Sequence, residues 1–239
     1  MIDALAIAAI VTLAGLSQSF AGFGFMLVTL SLGAQFMAVP EVVAIGLPLS
    51  MVSAGYVAWN NRAQIRWRWL LREIAPFMAT GTAVGFIAAA QINPHSLKRI
   101  LGATILLAVG LNWLQGQSIK ARPGKRDRLG AVIAGLAQGM FGVGGPMLVL
   151  LAQRARLSPG QFRATLTTVW SSINTVLVII MALSGRYSEG FWALPLIALP
   201  CVWLGSRIGD LLHKRVSADD FRRLVMMGLT LSGLSLVIR

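Results

Sequence analysis

Residues 137–151 read "AQGMFGVGGPMLVLL", four glycines and a proline set among leucine, methionine, valine and phenylalanine. The run is apolar enough to enter a membrane, yet it carries the residues that most readily interrupt a helix. Strongly basic stretches flank it at 115–128 and 153–163. A single crossing would put those stretches on opposite sides of the bilayer, against the tendency of lysine and arginine to stay in the cytoplasm. The segment is therefore expected to enter from the cytoplasm, break near 142–146 and return. The backbone groups freed at the break can be satisfied by neighbouring helices and internal water.

The rest of the chain fits a membrane setting. Hydrophobic residues make up 56% and charged residues 12% of the 239, where a soluble domain averages about 25% charged. Apolar stretches long enough to cross about 30 Å of hydrocarbon recur along the whole length. The opening stretch has an acidic rather than a basic start and no convincing cleavage site, so it is expected to remain in the mature protein. Cys201 stands alone in an apolar segment, which excludes an internal disulfide and suits a packing role.

A net charge of +13 would suggest nucleic acid in a soluble protein. Here sixteen of the 21 basic residues fall in four stretches, 60–72, 115–128, 153–163 and 212–223, and the other connections are nearly neutral. They are read as topology signals: the four basic stretches are cytoplasmic, the partner is the lipid bilayer, and no nucleic acid is expected. Trp59, Trp67, Trp69, Trp113 and Trp192 fall near predicted span ends, as an interfacial belt would.

The chain also repeats itself. A shift of 120 residues lays "GLSQSFAGFG" (15–24) on "GLAQGMFGVG" (135–144), matching Gly15, Leu16, Gln18, Gly22 and Gly24 with Gly135, Leu136, Gln138, Gly142 and Gly144. A shift of 124 pairs Pro76, Gly81 and Gly85 with Pro200, Gly205 and Gly209. The expected architecture is all-α and polytopic: one membrane domain over 1–239, with repeat one at 1–118 and repeat two at 129–239, joined by the basic loop 115–128. Each repeat holds a broken, re-entrant hairpin followed by three crossings, near 42–59, 73–91 and 96–114 and near 164–184, 190–211 and 221–238. An odd number of crossings inverts the second repeat and leaves both termini outside the cytoplasm. Paired interrupted helices in inverted repeats are a signature of secondary transporters.

Catalytic groups are scarce. His95 and His213 both fall at span ends and no carboxylate pair falls mid-span, so an enzyme is not expected, nor is a cofactor or a metal. Arg207 and Asp210, three apart, are expected to neutralise each other on one helix face. Without buried charge, the features suited to an anion are half-helix ends with unpaired N–H groups and glycines that admit a ligand to the backbone. The candidate substrate-binding residues are Gly22, Gly24, Gly142, Gly144 and Gly145, with Gln18 and Gln138 four residues before each break as amide donors. A polar cluster at 163–177 adds Ser171 and Asn174, three apart, with Ser50 and Ser53 as counterparts, while Thr167 and Thr168 suit backbone bonding one turn back. Tight packing of small residues is the alternative role for the glycines. Segments such as "ATGTAVG" (79–85) also allow a homo-oligomer.

The duplicated hairpins "GLSQSFAGFGF" (15–25) and "GLAQGMFGVGGPMLVL" (135–150), with "LSPGQFRATLTTVWSSIN" (157–174), resemble the sulfite exporter TauE/SafE family over nearly the whole chain. The second hairpin is close to the family's G-x-G-G pattern, and the first lacks the glycine doublet. The resemblance implies a bacterial inner-membrane permease for sulfite, an organosulfonate or another small sulfur-containing anion. A non-transporting membrane scaffold or assembly factor is the alternative reading.

Overall fold

In the computed structural model the described residues are 2–114, 125–188, 190–213, 230 and 234, and every regular element among them is helical. The first half comprises α1 (Ile2–Ala21), α2 (Phe25–Gly33), α3 (Val39–Asn60), α4 (Trp67–Gln91) and α5 (Pro94–Leu114). The second comprises α6 (Lys125–Phe141), α7 (Gly145–Arg154), α8 (Pro159–Leu183) and α9 (Ala193–His213). Helices α3, α4, α8 and α9 are each long and apolar enough to cross a bilayer.

Each half opens with a helix, a glycine break and a shorter helix. The breaks at 22–24 and 142–144 depend on left-handed backbone at Gly22, Gly24 and Gly142, with φ of 80°, 107° and 71°, a region that residues with a Cβ enter at a cost. The two arms are unequal. At 1.5 Å per residue α1, with 20 residues, reaches about 30 Å, whereas α2, with 9, covers under half of that as it packs back against α1.

What holds the bundle is backbone against backbone. On α9, a Cβ at Gly205 would collide with the Thr12 carbonyl of α1, and on α4 a Cβ at Gly81 would collide with the Val132 carbonyl of α6. Gly15 of α1 lies against Val202 and Ser206, and Gly135 of α6 against Met78 and Thr82. Each of these contacts recurs at the offsets seen in the sequence, so the repeated glycines fill repeated positions. The first helix of each half thus packs on a helix of the other half. Between the two pairs, α3 packs against α8, and Ser53 on α3 reaches Ser206 on α9 at 3.2 Å. The glycines of "ATGTAVG" are therefore spent inside the chain.

Local chemistry sets the helix starts. Ser158 caps α8 by accepting from Gln161 N at 3.4 Å, while Gln161 Oε1 accepts from Ser158 N at 3.3 Å, with Pro159 in the first turn. Three boundaries differ from expectation. Helix α6 begins at Lys125, so the end of the supposed loop is helical, and Asp127 in its first turn favours this by complementing the helix dipole. Asp127 also holds Arg154 at 2.8 Å. Helix α4 begins at Trp67, with a π-helical turn at Leu70–Ile74, so Arg68 and Arg72 lie on the helix. Arg163, placed in a loop from sequence, lies inside α8. The crossing expected at 221–238 and the basic stretch beyond His213 lie outside the described residues, apart from Thr230 and Leu234.

The backbone packing predicts opposite effects for two glycine-to-alanine changes. Gly205→Ala should lower the thermal midpoint of the solubilised protein by the equivalent of about 1–3 kcal/mol, the usual cost of overpacking. Gly110→Ala on α5, where an added Cβ meets nothing within 4 Å, should be neutral or raise it by up to about 1 kcal/mol through helix propensity. Midpoints from scanning fluorimetry would check both.

Candidate functional site

Each break is bridged by its glutamine. Gln18 Oε1 accepts from Phe25 N at 3.1 Å, and Gln138 Oε1 accepts from Gly144 N at 2.9 Å. The glutamine carbonyls also accept, Gln18 O from Gly22 N at 2.8 Å and Gln138 O from Gly142 N at 2.7 Å. Each side chain thereby satisfies a donor at the start of a short helix, where backbone N–H groups have no intrahelical partner. These bonds also fix which way each amide points, because its oxygen is held on a backbone N–H.

The two amide nitrogens differ. Gln138 Nε2 donates to Asn174 Oδ1 at 2.7 Å, and Asn174 Nδ2 donates to Ser50 Oγ at 3.0 Å, a chain linking α6, α8 and α3. Gln18 Nε2 is buried and has no hydrogen-bond partner. The residue at the place of Asn174 in the first half is Ser50, whose shorter side chain is already engaged by Asn174. All four residues are at most 2% exposed, so the network is desolvated and its bonds are strong.

Between the breaks lies a cavity of about 20 Å³, room for roughly one water molecule. Gln18, Gly24, Gly142, Gly145 and Asn174 line it, together with Ser50 and Trp170. Helix α2 begins there at Phe25 and α7 at Gly145, so the positive ends of two short helices meet at this space. Among the described residues no charged side chain lines it.

The remaining candidates fall nearby. Gly22 and Gly144 support the breaks from behind: a Cβ on Gly22 would lie 3.0 Å from Arg163 Cα, and one on Gly144 would lie 2.6 Å from the Ala134 carbonyl. Gln138 reaches the cavity wall through Asn174. Ser171 turns away, donating to the Met51 carbonyl at 3.4 Å and tying α8 to α3. Thr167 and Thr168 donate to carbonyls one turn back, as expected. Ser172 borders a separate, apolar cavity of about 500 Å³ between α4 and α8.

Two findings depart from the sequence reading. Asp210 pairs with Arg163 of α8, while Arg207 sits 5.3 Å from the Trp203 ring centroid. An arginine one helix away offers better geometry than one three residues along. Trp170 is a lining residue with a hydrogen-bonding group that the sequence reading missed. It stands four residues before Asn174, hence on the same face of α8, and that spacing was the available signal.

The chain matches the model of the sulfite exporter TauE/SafE family over residues 7–236. The chain belongs to that family. Members are transporters rather than enzymes, and this one is a polytopic membrane protein. It is 29% identical over 201 residues to a probable inner membrane transporter protein TsaS of Comamonas testosteroni, covering 82% of this chain and 80% of that one. It is 24% identical over 227 residues to a probable sulfite/organosulfonate exporter TauE of Cupriavidus necator, covering 92% and 88%. No solved structure matches the chain.

The glutamines should differ in their structural weight. Gln138→Leu strands Gly144 N and Asn174 Oδ1, whereas Gln18→Leu strands Phe25 N alone. At about 1–3 kcal/mol per unsatisfied buried group, the thermal midpoint should fall further for Gln138→Leu, and equal shifts would contradict the asymmetry.

Proposed function

We propose that the chain is a secondary transporter for a small sulfur oxyanion or organosulfonate in the bacterial inner membrane. The substrate binds between the two glycine-broken hairpins. The observation that carries this reading is the meeting of both breaks at one buried, uncharged cavity supplied with hydrogen-bond donors. Donors without fixed cations suit an anion that must be released as well as bound. The names of the relatives, an inner membrane transporter and a sulfite/organosulfonate exporter, support the substrate class and the location.

The halves are oppositely oriented in this reading, with the basic stretches cytoplasmic, and transport proceeds by alternating access. A cavity the size of one water is the closed arrangement, and the hairpins part to admit a four-atom oxyanion. Gln18, Gln138, Asn174 and the break glycines form the site, while Ser171 holds α8 on α3.

The test is flux of sulfite, thiosulfate and methanesulfonate in proteoliposomes. Wild type should move at least one of them. Gly142→Val should reduce that flux to background while the protein stays in the membrane at normal abundance, because valine resists φ near 71° and its Cβ would lie 2.9 Å from Met26 Cε. Wild-type flux in the variant would refute the site, and no flux of any anion would refute the transporter.

A further inference from the structure

Trp170 is 5% exposed and its Nε1–H is buried without a hydrogen-bond partner. It borders the cavity that Gln18 borders, and Gln18 Nε2 is likewise buried and unpartnered. Buried donors in native proteins are nearly all paired, so two orphans on one small cavity, one from each half of the chain, call for a shared acceptor. We propose that the Trp170 indole N–H and the Gln18 amide N–H are the direct donors to the substrate, forming an uncharged two-point clamp on an oxyanion head group. This rests on the transport reading above and specifies how that site recognises its ligand.

The geometry restricts what the clamp accepts. An indole N–H can only donate, and the Gln18 amide is prevented from flipping because its oxygen holds Phe25 N. Neither group can turn an acceptor toward the cavity, so the clamp itself offers a cation or an ammonium group no partner. A ligand with two acceptor oxygens on one centre satisfies both donors at once, and sulfite and sulfonate head groups have that form. The clamp is asymmetric by construction: the position matching Trp170 at the offset of 124 is Gly46, where an added Cβ would lie 2.8 Å from Met26 Sδ. One half supplies an indole where the other has space only for a thioether.

The test uses the full chain in nanodiscs, labelled with nitrogen-15 tryptophan and titrated with sulfite and with methanesulfonate, with affinity measured in parallel by calorimetry. The Trp170 indole resonance is the one missing from Trp170→Phe, or from Trp170→Tyr if the first variant does not fold. It should move downfield as anion saturates, and Trp170→Phe should weaken binding at least tenfold while keeping an aromatic ring in place. If anion binds wild type but the resonance stays put and the variant binds equally well, the clamp is wrong and the transport reading stands, the donors then serving only a bound water. If neither anion binds wild type at all, the clamp and the reading beneath it both fall.

Discussion

The close approach of helix backbones at glycine is the constraint on which the bundle depends. In lipid there is no hydrophobic force to press helices together, so packing and interhelical hydrogen bonds carry association. Gly205 and Gly209 let α9 lie on α1, and Gly81 and Gly85 let α4 lie on α6. Because α1 and α6 lead into the two breaks, these contacts also orient the breaks. A side chain at any of these glycines would push a hairpin away from the cavity, so packing and site geometry are one problem.

Within that frame the described residues that line the cavity are neutral. The glutamines are held by the helix starts they cap, and the bond chain from Gln138 through Asn174 to Ser50 crosses the middle of the molecule. A single difference between halves, asparagine against serine, leaves one amide engaged and the other open. On the transport reading, a site without charged side chains leaves the substrate its full charge. Its movement then feels the membrane potential, about 2.3 kcal/mol per charge for each 100 mV.

Much of this was legible in the sequence because its signals are local or periodic. The second break follows from glycine and proline between basic stretches, and the first from the glycines repeated at constant spacing. Gln18 and Gln138 stand at matching distances from the breaks, which marked them as a pair. Trp170 did not stand out, because an aromatic residue in an apolar helix reads as packing until its neighbours are known. The Arg163–Asp210 pair was hidden for a related reason: 47 residues separate the partners, and sequence spacing offers only the nearer Arg207. The start of α4 was misplaced because four arginines between 62 and 72 look like a loop, whereas two of them ride on the helix.

Cross-packing of the halves also bears on how the protein is made. Gly15 meets the stretch around Val202 and Ser206, and at about 5–20 residues per second of synthesis that partner emerges roughly 10–40 s after α1. During that interval the glycine face of α1 has no helix to seat against, and α4 waits similarly for α6, though for a shorter time. The first half therefore cannot reach its final packing during its own synthesis. The arrival of α9 thus decides when α1 can take its final seat.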